Sequence, residues 1–166
     1  MQNGKGAGLF ALYVACAAVF VWFTSVGLPP LVASHFGAGG TANGFMARSS
    51  YTLFMLAFVI GLPGLMVLVA WHAVGNDKAR INLPNRDYWL APERRTATVA
   101  MLRAGIQWFG VLLVAFLCYA HALVVVANKV QPPQLPESWF IGGLVIFFVV
   151  LMIAVRAFLR RFRRDT

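Results

Sequence analysis

Four long apolar stretches, separated by three polar segments, dominate the pattern along the chain. The stretches are Ala7–Leu28, Tyr51–Val74, Ala104–Ala127 and Ser138–Leu159. Each is long enough for a helix to cross the hydrocarbon layer of a bilayer, which takes about 20 apolar residues. The first three hold no charged residue. The fourth holds only Arg156, close enough to its end to reach the headgroups. Lipid offers no partner for backbone polar groups, so segments of this kind must be helices. The expected fold is therefore all-α, a single transmembrane domain over residues 1–166 built as a four-helix bundle. The first stretch is longer than a cleavable signal core of about 7–15 residues and three more follow, so it reads as an uncleaved anchor.

Composition agrees with this pattern. The chain is 60% hydrophobic and 11% charged, against about a quarter charged in soluble domains. The formal net charge of +9 raises the possibility of nucleic-acid binding. The basic residues gather at the ends of the apolar stretches instead, where membrane topology needs them, and nucleic acid is set aside. With the N-terminus inside, the inner side holds Lys5, Lys78, Arg80, Arg86, Arg94, Arg95, Arg103, Arg156, Arg160, Arg161, Arg163 and Arg164. Only Arg48 and Lys129 are left outside. Positive charge retained on the cytoplasmic side thus predicts two cytoplasmic termini, with anionic lipid meeting the inner arginines. Trp22 and Trp139 then anchor the outer interface, and Trp71 and Trp108 the inner one.

Within the second stretch, Pro63 predicts a kink near Leu62. Gly105 and Gly142-Gly143 predict close helix approach. Cys16 and Cys118 both lie in apolar stretches without CxxC spacing, which predicts two small buried residues and neither a disulfide nor a zinc site.

Candidate chemistry sits in the connecting segments. The first, Pro29–Ser50, faces outward by the charge argument. Gly37, Gly39, Gly40 and Gly44 permit tight turns, and Asn43-Gly44 is a turn signal. His35 is the one group in it that titrates near neutrality, so it suits ligand binding, pH sensing or a loop-fixing hydrogen bond. His121, inside the third stretch, needs a polar partner, as does Gln107. His35, His121, Asn43 and Glu137 all belong to the outer half. Two histidines with a carboxylate have the chemistry to hold a metal, though nothing in their spacing requires one, and no cofactor is expected. In the second segment Asn85 follows Pro84 as a turn. Pro92 and Glu93 suit the first turn of a helix running into the third span. Tyr88, Trp89, Leu90, Arg94 and Arg95 read as an interfacial anchor or an inner docking platform. Nucleotide-loop, zincin and serine-hydrolase motifs are lacking, and no acidic residue lies within a span, so enzymatic chemistry and ion-coupled transport are disfavoured.

Leu28-Pro29, His35-Phe36, Gly40 and Arg48 in the outer segment resemble a bacterial family of small membrane proteins. That family carries a domain also found in the immunity protein of the sporulation-delaying toxin system. Asn82, Pro84, Asn85, Tyr88, Trp89 and Leu90 resemble a stretch that some of its members show in the following inner loop. The resemblance implies a membrane-embedded protein with relatives linked to toxin immunity and signalling. Members often have lysine where Arg48 stands and an acidic or proline residue near Ala42-Asn43. The resulting expectation is a non-enzymatic binder whose outer residues His35, Phe36, Gly40, Asn43 and Arg48 recognise a peptide, lipid or membrane-protein partner. Asn82, Pro84, Asn85, Tyr88, Trp89, Arg94 and Arg95 would dock on the inside. The competing expectation is a small accessory subunit of a membrane enzyme or transport complex.

Overall fold

The computed structural model describes residues 2–76 and 80–163, with side chains from Gly6 onward. Lys78 and Arg164 of the charge argument lie outside the described residues, and so does the side chain of Lys5. The chain runs α1 (Gln2–Val26), β1 (Leu31–Phe36), a short 3-10 turn (Ala38–Gly40), β2 (Ala42–Ala47), α2 (Arg48–Gly75), α3 (Arg86–Trp89), α4 (Pro92–Ala127) and α5 (Glu137–Arg160). Four of these helices are long and apolar enough to cross a membrane, which makes this a multi-pass membrane protein by composition and fold.

Three helices make the core, and α4 is its axis. Along α2 the buried positions are Tyr51, Met55, Val59, Pro63 and Val67, one per turn. Along α4 they include Thr98, Leu102, Gly105, Gly110, Val114, Leu117 and His121, mostly three or four apart, the spacing that packs nearly aligned helices. Ala17, Val21 and Leu28 of the α1 segment close the cluster from the third side. At Gly110 a Cβ would come within 2.8 Å of both Phe10 and Val67, so α1, α2 and α4 meet closely there. The helix α2 runs through Pro63, whose ring is buried. As expected, α4 begins at Pro92 with Glu93 in its first turn and continues into the third span.

The fourth helix does not complete a symmetric bundle. No residue of α5 is buried. It lies along α4 through Phe158 over Gly105, Tyr119 over Gly143, and Phe116 stacked on Phe147 at 4.5 Å. Gly105 and Gly143 thus serve the close approach expected of them, whereas nothing lies within 4 Å of a Cβ built at Gly142. Cys118 is half-buried, but Cys16 is exposed on the outside of α1, contrary to the expectation of two buried thiols; both are free. In lipid an outward face is as apolar as a core, so apolarity alone did not locate Cys16.

The all-α expectation also misses a β-hairpin. Strands β1 and β2 pair antiparallel, Leu31 with Ala47, Val32 with Met46, Ala33 with Phe45, His35 with Gly44 and Phe36 with Ala42, with irregularities on either side of His35. The turn signal at Asn43-Gly44 therefore falls inside β2. The reversal is made instead at Gly37–Thr41, where Gly39 and Gly40 take φ +77 and +76. Val32 is buried in the helical core and Met46 packs on it, so the hairpin's inner face is seated on the bundle.

Candidate functional site

The hairpin is held from behind by one side chain. Asn128, the residue that ends α4, is buried, and its amide lies against the backbone of Ala33. Its Oδ1 accepts from Ala33 N–H at 2.8 Å, and its Nδ2 donates to Ala33 O at 2.9 Å and to Val124 O at 2.9 Å. The Ala33 groups therefore point away from β2. In antiparallel pairing this makes Ala33 and Phe45 a non-hydrogen-bonded pair. The N–H and C=O of Phe45 consequently face the outer edge of β2.

The turn is tied to the α4–α5 connection. Leu135 N–H donates to Gly40 O at 2.8 Å, Gly39 N–H donates to a Glu137 carboxylate oxygen at 3.1 Å, and Thr41 bridges Gln134. A Cβ at Gly40 would run into the Leu135 carbonyl. Gly40→Ala therefore meets both a disfavoured φ and a backbone clash, and we expect a loss of about 1–3 kcal/mol, read as a lower thermal midpoint in detergent. At the base, Arg48 Nη1 donates to Val26 O at 3.1 Å and Leu28 O at 3.0 Å, satisfying carbonyls at the end of α1.

The outward side of the hairpin carries His35 and Asn43, both exposed, with Phe36 half-buried. Phe45 and Leu31 add exposed apolar surface at 51% and 60% of their area. A Cβ at Gly44 would stand 2.7 Å from His35 Cβ, so this glycine gives the His35 side chain room across the neighbouring strand. The irregularities flanking His35 re-aim side chains and fix the register, as β-bulges do.

His121 does not join His35. It is fully buried between α1, α2 and α4, and both ring nitrogens are engaged: Nε2 with Thr24 Oγ1 at 2.7 Å and Nδ1 with Tyr51 Oη at 2.8 Å. Proton accounting sets the tautomer. Thr24 has one hydroxyl proton, and its oxygen lies 2.6 Å from the Phe20 carbonyl, which can only accept. Thr24 therefore accepts from Nε2–H, and Tyr51 donates to Nδ1. Phe20 meets the imidazole edge-on and Tyr51 stacks beside it. Among the described residues no three of His, Cys, Asp and Glu come together to hold a metal. Glu137, the expected carboxylate, is spent on the turn.

At the opposite end, the segment between α2 and α4 clamps the chain's C-terminal part. Asn85, in the left-handed region at φ 51, donates from Nδ2 to Phe162 O at 3.0 Å, and Trp89 Nε1 donates to the same carbonyl at 2.9 Å. Phe162 is buried with Leu83 and Leu102, and Thr98 Oγ1 donates to Trp89 O at 2.7 Å. Arg94 sits 4.0 Å over the Tyr88 ring, and Arg95 Nη2 donates to Asn76 O at 3.0 Å. Asn82 is exposed and Pro84 half-buried. Asn85 and Trp89 thus have a structural task in holding Phe162. Trp89→Phe keeps the ring contact with Phe162 and deletes one donor, so we expect a loss of about 1 kcal/mol, measured by denaturant titration in mild detergent.

Asn128, Thr24, Tyr51 and Gln134 were not singled out from sequence. Asn128 had a signal, as a polar residue at the end of a span. Thr24 and Tyr51 had none, because their role depends on which residues of other helices face them.

The class defined by this geometry is a helical multi-pass membrane protein with a β-hairpin tied down at one end of its bundle. Comparison with protein-family models, with curated proteins and with solved structures finds no match.

Proposed function

We propose that this protein is a non-enzymatic membrane receptor or binder that captures an extended peptide segment of a partner on its hairpin. The observation that carries the reading is the outer edge of β2. There the Phe45 N–H and C=O point outward, between the exposed side chains of Asn43, Phe45 and Ala47. An edge strand of this kind pairs with an added strand, main-chain bonds supplying affinity and alternate side chains supplying selectivity. The Asn128 and Leu135 ties hold the edge in place before binding, which lowers the ordering cost of association. His35 flanks the site as a polar group able to donate or accept.

In this reading the hairpin is extracytoplasmic and both termini are cytoplasmic in a bacterial inner membrane. The distribution of positive residues supports that orientation: Arg80, Arg86, Arg94, Arg95, Arg160, Arg161 and Arg163 belong to the end opposite the hairpin, against Arg48 and Lys129 at the hairpin end. A peptide toxin, neutralised at the membrane surface, is the special case implied by the family resemblance of the His35-Phe36 segment.

The test is crosslinking and mild-detergent recovery of tagged protein from cells, with Phe45→Asp and His35→Ala beside wild type. Both substitutions are on exposed positions, so stability should stay within about 0.5 kcal/mol of wild type. We expect an extended peptide or protein segment crosslinked at β2 in wild type and lost in Phe45→Asp. Equal recovery from both variants would overturn the reading. Reporter fusions that place Pro29–Ser50 in the cytoplasm would overturn the orientation.

A further inference from the structure

The end of the bundle away from the hairpin holds a second feature that the clamp does not use. A cavity of about 390 Å³ opens between α1, α2 and α4, lined by Gly6, Trp71, Ala97, Ala100, Met101, Arg103, Ala104 and Gln107. Small residues on α4 leave the space: Ala97, Ala100 and Ala104 share the flank that carries Arg103 and Gln107. Those two polar residues are four apart on one helix, so they stand one above the other.

Both lack partners. Gln107 is 9% exposed, and among the described residues its amide makes no hydrogen bond. A Cβ on Gly6 would lie 2.5 Å from its Oε1, so the oxygen is turned toward α1, which leaves the NH2 group to serve the cavity. Arg103 is half-buried and its Nε is buried without a hydrogen bond. Its guanidinium lies 4.6 Å over the Trp71 ring, and among the described residues it meets no carboxylate. A partly desolvated cation without counter-charge is costly, and the Gln107 amide beside it has no hydrogen-bond partner among the described residues. One anionic group placed between them would meet both.

We infer that this cavity binds the phosphodiester headgroup of an acidic phospholipid. The guanidinium fork matches two phosphate oxygens, and the Gln107 amide supplies a further donor. The remaining walls, Trp71, Met101 and the alanines, are apolar, which suits the glycerol and upper acyl chain. The helices that form the cavity are long enough to reach the headgroup layer. The net charge of +9 adds a long-range attraction for acidic lipid.

The test uses the full chain in mild detergent, titrated with phosphatidylglycerol or phosphatidylcholine, with bound lipid counted by native mass spectrometry. Wild type is expected to prefer phosphatidylglycerol by roughly tenfold or more, the scale of a charge-assisted bond. Gln107→Leu places an apolar side chain of similar size in a largely apolar lining, so it should fold as well as wild type while losing most of that preference. Arg103→Lys keeps the charge and loses the fork, and should weaken the preference as well. Three results would each overturn the proposal. They are a wild type that does not discriminate between the lipids, unchanged preference in both variants, and inorganic phosphate raising the thermal midpoint as far as phosphatidylglycerol does. The last would reassign the cavity to soluble phosphate.

Discussion

His121→Leu is expected to lower stability by about 2 kcal/mol, and adding Tyr51→Phe is expected to restore part of that loss. The reason is the asymmetry between losing one partner and losing both. In the structure Tyr51 Oη donates to His121 Nδ1 at 2.8 Å, and Tyr51 is buried in the packed centre of α1, α2 and α4. Leucine fills much of the imidazole's volume but leaves the Tyr51 hydroxyl without an acceptor. Thr24 keeps its bond to the Phe20 carbonyl, so it is not stranded. Removing the tyrosine hydroxyl as well takes away the stranded group, and the double variant should be more stable than His121→Leu alone by about 1 kcal/mol. Tyr51→Phe alone strands Nδ1 and should cost about 1 kcal/mol, within the range seen for hydrogen bonds between membrane helices. Thermal midpoints of the four proteins in one detergent complete the cycle. Additive losses, with the double variant least stable, would show that the two groups do not depend on each other and would refute the hydrogen-bond assignment.

That network also shows why the sequence was readable only to a point. Span number and approximate ends follow from hydropathy, because lipid imposes a length and forbids unpaired backbone. Helix facing does not follow. The side of α2 that buries Tyr51, Met55 and Val59 is no more apolar than the side that exposes Leu53, Phe54 and Phe58, since packing and lipid contact favour the same residues. Polar and small residues are what mark the inner faces here: Thr24 and Ser25 on α1, and Gly105, Gln107, Gly110 and His121 on α4. His121 was legible as a group needing partners, but its partners lie on two other helices. The same reason separates His35 from His121. Both lie toward the hairpin end of the molecule, and only packing shows one in the core and the other on the hairpin.

The hairpin was missed for a different reason. Four glycines between Gly37 and Gly44 outweigh the alternating pattern of its short strands, and a two-stranded ribbon has little stability of its own. Its order comes from tertiary ties that local sequence does not contain. The N-terminus of α4 stands at the other extreme. Pro92 and Glu93 act within their own turn, so the start of the helix could be read directly.

Asn128→Leu should be the most damaging single change to the hairpin, because one amide serves three backbone groups. It accepts from Ala33 N–H and donates to the carbonyls of Ala33 and Val124. Leucine leaves both Ala33 groups unpaired in a site where Ala33 is itself fully buried, whereas Val124 O keeps the bond from the backbone N–H of residue 128 at 3.1 Å. Each stranded group costs about 1–3 kcal/mol, so a loss of about 2 kcal/mol or more is expected, unless β1 swings out to find water. Swinging out is the cheaper response for a two-stranded ribbon, so the helices should survive while the hairpin loosens. Hydrogen exchange reads this directly, with protection of the Ala33 amide falling by roughly a hundredfold, which is about 2.7 kcal/mol of local stability. Asn128→Asp should not rescue it. The carboxylate still accepts from Ala33 N–H but sets a second acceptor against Ala33 O. If Ala33 stays protected in Asn128→Leu, the amide is not what holds the hairpin. If protection is lost and peptide capture at β2 falls with it, the edge works because it is held in place before its partner arrives. Capture that is undiminished on a loosened hairpin would mean that the partner orders the strand itself.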